Sequence, residues 1–286
     1  MSDFLSYLIS GLAIGCTFAL VASGFVAIHR VTRVVNFAQG TFAVLAGLTV
    51  SSMLGKGLPH GAAELIGIAV AGLAGLIVGV IAIGKPGTPT LASLVITLGL
   101  GILAYAVEIV VWGDQPISFR MVRGSVTIAG ARIPTQYFLV IGVAVATFAA
   151  LELFFARSYV GKALSACASN PYAARLSGIR PIRMGLLAFA LGGLLGGLAG
   201  VLITPLQPVA FDSDVLLATY GFAAAIFGGL NSPYAALTGG LVLGVIESFV
   251  AGYINASYQT EVALVLIILV MLYQAARRNL VTEEVA

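Results

Sequence analysis

Two amides stand three residues apart in Asn36-Phe-Ala-Gln39, followed directly by Gly40 and Thr41. They open a long apolar run and come just after Arg30-Val-Thr-Arg33. Amides are costly in an apolar medium unless they are hydrogen-bonded. Two in one turn therefore predict an interrupted helix, with freed backbone groups facing a pathway for a small polar solute. The competing reading is an interfacial cap that holds the start of a span. A second group that could bind or relay is Glu247, the acid placed well inside an apolar run. Intramembrane acids default to a functional role, either a proton relay or a pairing with a neighbouring polar group. Glu108 and Glu152 fall nearer the ends of apolar runs, where they are expected to reach the interface. Asp212 and Asp214 follow Pro205 and Pro208 and read as a solvated loop, with the seating of a soluble partner as the alternative.

Catalytic chemistry finds no constellation. His29 and His60 fall on opposite sides of the predicted layout, with no triad or metal partner. Cys16 and Cys167 have neither disulfide nor metal spacing. Gly79-Val-Ile-Ala-Ile-Gly84-Lys85-Pro86 imitates a phosphate-binding loop. That loop needs Ser or Thr after the lysine and a strand–loop–helix setting, and here Pro86 follows Lys85. The segment is a span end with a snorkelling lysine. No catalytic site, metal or cofactor is expected on this chain, and no nucleic acid.

The elements that must position these residues follow from composition. The chain has 286 residues, 60% hydrophobic and 9% charged, with a mean hydropathy of +1.08. Soluble domains carry about 25% charged residues. The expected fold is an all-α polytopic bundle in a lipid bilayer, a single domain over 1–286, because helices satisfy their own backbone groups in lipid. Its apolar runs are too long and continuous for a membrane β-barrel. Met1-Ser2-Asp3-Phe4 lacks a basic leader region, so the run after it reads as a first span. A span needs about 20 apolar residues. Spans are predicted near 4–28, 35–54, 62–83, 90–111, 136–156, 186–205, 215–230, 234–252 and 260–276, giving eight to ten crossings. The second and seventh are candidates for broken or re-entrant helices. The seventh is short and is interrupted by Gly228-Gly229 and Pro233.

Charge orients the bundle. Arg30, Arg33, Lys85, Arg157, Lys162, Arg175, Arg180, Arg183, Arg277 and Arg278 gather on one side, ten of the fourteen Lys and Arg. The positive-inside rule makes that side cytoplasmic, with the C-terminus there and the N-terminus outside. The segment 157–185 is a long basic loop on this side. Asn170 and Pro171 are a helix start and Gly178 a stop, so the loop is expected to form two short helices, near 159–168 and 171–177. Docking a soluble partner explains a structured loop of this size; an ordinary basic loop at lipid headgroups is the alternative.

Small residues repeat every four positions at Gly192, Gly196 and Gly200, at Gly67, Ala71, Gly75 and Gly79, and at Gly11, Gly15 and Ala19. Such stripes let helix backbones touch. They serve internal packing or a subunit seam.

These pieces carry a resemblance. Arg30-Val-Thr-Arg-Val-Val-Asn-Phe-Ala-Gln-Gly40 is similar to a signature near the start of permease subunits of branched-chain amino acid ABC importers. Cys167-Ala-Ser-Asn-Pro-Tyr-Ala-Ala-Arg-Leu-Ser-Gly-Ile179 resembles the cytoplasmic loop of that family. Phe189 to Leu202, Ile226-Phe-Gly-Gly-Leu230, Gly239-Gly240 and Leu243-Gly-Val-Ile-Glu247 follow in order. Thr41 stands where the family often has an acid, and Asn231-Ser-Pro-Tyr-Ala235 departs from its usual Gly-Ser-Ile-Pro-Gly. The resemblance implies a non-enzymatic permease subunit in a bacterial inner membrane, for branched-chain amino acids or a related amide, urea or aromatic acid. It implies a second permease, a paralogue, two cytoplasmic ATPases holding ATP and Mg, and a periplasmic solute-binding protein. Asn170, Pro171, Tyr172, Ala173, Ala174 and Arg175 would then dock the ATPase. Asn36, Gln39, Gly40 and Thr41 would lie near the translocation path. The rival reading is a stand-alone secondary transporter or channel coupled through Glu247.

Overall fold

The computed structural model describes residues 2–258 apart from 86 and 231, with 261, 262, 264–266, 268, 269 and 272. The expected span at 260–276 and the basic pair Arg277 and Arg278 lie largely outside the described residues.

The described residues form ten α-helices in order: α1 (Ser2–Thr32), α2 (Gln39–Gly55), α3 (Ala62–Ile83), α4 (Thr90–Trp112), α5 (Thr135–Arg157), α6 (Tyr159–Ser169), α7 (Pro171–Leu176), α8 (Pro181–Ile203), α9 (Ser213–Phe227) and α10 (Pro233–Tyr253). Six of them are long and apolar enough to cross a bilayer, α1, α3, α4, α5, α8 and α10. The chain is a polytopic all-α membrane protein. One departure lies at the end away from the basic side. Strands β1 (Ser125–Ile128) and β2 (Ala131–Pro134) pair antiparallel where the sequence reading has only a loop. Ala129 and Gly130 both have positive φ, 48° and 83°, as a tight two-residue hairpin turn requires.

α2 and α9 are the short apolar helices, 17 and 15 residues. At 1.5 Å per residue they reach about 25 Å and about 22 Å, less than a hydrocarbon core of about 30 Å. α2 starts inside the protein, and the first turn of α9 lies against that start. The Gln39 amide meets the carbonyl of Gly192, the midpoint of α8, at 2.9 Å. Asp214, in the first turn of α9, meets Thr41. The chain therefore folds back between Arg33 and Ala38 and delivers the N-terminus of α2 to mid-depth.

Glycine sets the frame around this break. A Cβ on Gly15 would lie 2.7 Å from the Gly240 carbonyl, and one on Gly240 would lie 2.6 Å from the Ala19 nitrogen. α1 and α10 thus touch backbone to backbone. α3 and α8 do the same, where a Cβ on Gly75 would lie 2.5 Å from the Phe189 carbonyl. Gly192 packs on Ile28 of α1, Gly196 on Gln39 and Phe42, and Gly200 on Ala43. The stripe at Gly192, Gly196 and Gly200 serves contacts within this chain, along both α1 and α2. Gly79 of the false phosphate loop lies within α3 against Phe189.

Candidate functional site: a cavity beside two interrupted helices

The break is braced from three helices. Asn36 and Gln39 are fully buried. Asn36 Oδ1 accepts the Ala38 N–H at 3.2 Å, and its Nδ2 donates to Gln39 Oε1 at 3.4 Å. The Gln39 Nε2 donates to Gly192 of α8. From α4, the Thr97 hydroxyl accepts the Phe37 N–H at 3.2 Å and lies 3.4 Å from the Val35 carbonyl. The two amides thus satisfy the non-helical backbone and tie it to α8. Gly40 is needed for close approach: a Cβ there would collide with the Asp214 carbonyl.

Beside the break lies a 660 Å³ cavity. Phe25 of α1, Phe37, Leu98, Gly101, Ile102 and Tyr105 of α4, and Asp214, Val215, Ala218, Thr219 and Phe222 of α9 line it, with Leu264. Phe37 and Asp214 reach the cavity surface, with Asn36, Gln39, Gly40 and Thr41 behind them. The lining is apolar apart from Asp214, Thr219 and the Tyr105 hydroxyl.

Two acids correct the sequence reading. Asp214 is not part of a solvated loop; it is buried at 7% exposure, while Asp212 beside it is exposed. The Thr41 hydroxyl donates to Asp214 Oδ2 at 3.4 Å, and the Val215 N–H to Oδ1 at 2.6 Å. Glu108 does not reach an interface; it is 1% exposed, because the inward face of α4 runs Ser93, Thr97, Gly101, Glu108. That polar and small stripe at helical spacing was the available signal. Glu152, by contrast, is exposed. Glu247 is accordingly one of four buried acids in the described helices, with Glu64, Glu108 and Asp214. It sits on the α1–α10 side, hydrogen-bonded by the Tyr220 hydroxyl and next to Ser248, which bonds Ser10 at 2.6 Å. Glu247 is outside the cavity lining. His60 pairs with Glu64 at 2.8 Å in the first turn of α3. No group of three metal-ligating side chains occurs among the described residues.

At the basic end, α6 and α7 form the loop structure. The Ser158 hydroxyl caps α6 and Asn170 caps α7, its Oδ1 accepting the Tyr172 and Ala173 N–H groups at 3.0 Å each. Pro171 occupies the first turn, and Gly178 ends the helix with φ 81°. Ala174 is buried, whereas Tyr172 and Leu176 are 71% and 74% exposed and Arg175 projects beside them. Cys167 is buried, and burial pushes its thiol above the ordinary value.

A direct link joins this end to the break. The Arg33 guanidinium donates to the Ala168 carbonyl of α6 at 3.2 Å. Arg33 has φ 60°, a left-handed conformation that costs a side-chain-bearing residue energy. It stands where α1 has ended and the fold-back begins.

The comparisons with known proteins agree with this architecture. The profile of the family described as "Branched-chain amino acid transport system / permease component" matches residues 7–273. The high-affinity branched-chain amino acid transport system permease protein LivH of Salmonella typhimurium is 28% identical, over 94% of this chain and 93% of its own length. The corresponding protein BraD of Pseudomonas aeruginosa is 29% identical, over 95% and 94%. The ribose import permease protein RbsC of Haemophilus influenzae is 26% identical, over 91% and 79%. PsaBC from Streptococcus pneumoniae, solved in complex with Fab, shares the fold with a TM-score of 0.54 and 16% identity, covering 94% of this chain and 91% of that one. The match over nearly the whole chain and the interrupted bundle together place the chain in the branched-chain amino acid transport permease family.

Proposed function

We propose that the chain is the non-catalytic permease subunit of a bacterial ATP-driven importer, set in the inner membrane with α6 and α7 in the cytoplasm. Its solute is a branched-chain amino acid or a related small molecule. A second permease, two ATPases carrying ATP and Mg, and a periplasmic binding protein complete the machine. The observation that carries this reading is the chain of contacts from α7 to the cavity. Tyr172 and Arg175 are exposed on a capped helix, α6 beside it bonds Arg33, and Arg33 begins the fold-back that ends at Phe37 in the cavity wall. Movement of α6 and α7 by an ATPase would pull on Arg33 and reposition Phe37 and the start of α2. Asymmetry of Lys and Arg supports the orientation.

The test is recovery of partners from mild detergent. Wild type should bring down an ATPase, and Tyr172→Ala/Arg175→Glu should lose it while still recovering the second permease. Absence of any ATPase with wild type, under conditions that preserve other membrane complexes, would overturn the reading.

A further inference from the structure

The turn from α7 into α8 encloses a second hollow, of 490 Å³, lined by Arg175, Arg180 and Arg183 together with Ile179, Pro181 and Ile182. Gly178 makes the turn, with φ 81°, and so brings the arginine before it and the two after it around one space. No acid lines the hollow, and the three guanidiniums have no ion pair or hydrogen bond among the described residues. Like charges gathered in this way repel one another until an anion neutralises them. The backbone adds to the field. Pro181 takes the first turn of α8, and no side chain caps that helix. The N–H groups of Ile182 and Arg183 therefore open the helix without an intrahelical acceptor, at its positive pole. Guanidinium forks and free helix N–H groups both suit the oxygens of a phosphate.

Depth decides which phosphate. α8 is long and apolar enough to cross the bilayer, which puts its first turn at the level of the lipid headgroups. Arg183, Leu187 and Leu194 fall on one face of α8 at helical spacing. Leu187 and Leu194 are 42% and 41% exposed, so the face runs from a cation into an uncovered apolar stripe. A lipid offers the matching order, an anionic head followed by a hydrocarbon chain. Basic pockets at the cytoplasmic ends of membrane helices hold such headgroups. We infer that this hollow binds the phosphate of an anionic lipid. Arg175, Arg180, Arg183 and the start of α8 surround the phosphate oxygens, and an acyl chain lies along Leu187 and Leu194. The bound lipid ties α7 to α8, because Arg175 reaches it from α7 and Arg180 and Arg183 from the start of α8. The inference goes beyond the permease reading and needs only that α8 crosses the bilayer.

The test uses the full-length chain in a non-ionic detergent and reads its thermal unfolding during titration. The probes are dioctanoyl phosphatidylglycerol, dioctanoyl phosphatidylcholine and sodium phosphate. The two lipids share their chains and differ in net charge, and the salt supplies the anion alone. The expected result is a saturable upward shift with phosphatidylglycerol, well above that with phosphatidylcholine, and none with sodium phosphate at equal concentration. Arg180→Gln/Arg183→Gln should weaken the apparent affinity for phosphatidylglycerol at least about tenfold, as the loss of two charge-assisted contacts requires. Arg157→Gln/Lys162→Gln removes two exposed charges of the same end from outside the hollow and should keep the wild-type affinity. Equal shifts from the two lipids would overturn the proposal, as would a sodium phosphate shift that phosphatidylglycerol does not exceed. So would equal losses in the two double variants, which would mean a diffuse field rather than a site. No shift with any probe would also overturn it, and would leave the three guanidiniums to an acidic protein surface. The comparison of probes on wild type needs no substitution and decides the matter even where a variant does not fold. Because no ATPase is present, a negative partner-recovery experiment leaves this result untouched.

Discussion

The α1–α10 seam and the α4–α9 wall are built in opposite ways. Along the seam, glycine meets backbone: a Cβ on Gly240 would lie 2.6 Å from Ala19, and one on Gly11 would lie 2.7 Å from the Val245 Cα. Along the wall, a Cβ on Gly101 would have its nearest neighbour, Ala38, at 3.7 Å. The polar groups differ too. On the seam side, Glu247 has the Tyr220 hydroxyl, and Ser10 has Ser248. On the wall side, Glu108 has no partner among the described residues, and a 660 Å³ cavity separates the helices. Close backbone contact resists sliding, since any shift creates overlap. A side-chain-lined gap can widen or narrow at small cost. The seam is packed as a frame, and the wall leaves room for movement.

The comparison breaks hardest at the seam. Gly240→Leu should remove the folded chain, because overpacking costs about 1–3 kcal/mol or more and here the colliding atoms are backbone. Size-exclusion profiles in mild detergent should show aggregate for Gly240→Leu and a single peak for Gly99→Leu. A next-largest effect separates the two buried acids. Glu108→Leu should raise the thermal midpoint, since it removes an unpartnered group whose burial costs about 1–3 kcal/mol. Glu247→Leu should lower it, because Tyr220 loses its acceptor. Equal and downward shifts for both would erase the distinction between the regions.

A smaller effect concerns the link to the basic end. With Cys16→Ala as background, Cys167 should react slowly with a maleimide near neutral pH, since burial both shields the thiol and raises its pKa. Labelling should speed up as pH rises and the thiolate fraction grows. Arg33→Ala should accelerate it several-fold at fixed pH by releasing the Ala168 carbonyl; an unchanged rate would mean that Arg33 does not hold α6. The smallest effect is Gly99→Ala, which should stabilise by about 0.5–1 kcal/mol from helix propensity alone.

Much of this arrangement was legible in the sequence, and the reasons differ by element. Spans were readable because a bilayer demands continuous apolar helices. The two helices of the basic loop were readable because Asn170, Pro171 and Gly178 act locally, through caps and a left-handed stop. The interruption near Asn36 was readable from two amides next to glycine. What those amides touch was not, since the partner of Gln39 is Gly192, far along the chain. Asp214 looked solvated because it follows prolines at an apparent loop; its burial depends on the fold-back that brings Gly40 against α9. Glu108 was hidden by its distance from the span centre, although Ser93, Thr97 and Gly101 mark its face. The β1–β2 hairpin is short and stands on its Ala129-Gly130 turn, a weak signal within a polar loop.

The most direct test of the central claim measures both regions during ATP turnover. In the reconstituted importer, spin labels at residues 102 and 215 report across the wall, and labels at 4 and 253 report across the seam. All four native side chains are exposed. The account predicts that ATP binding shifts the 102–215 distance distribution and leaves the 4–253 distribution in place. A fixed wall distance, or a seam that opens with it, would contradict the account.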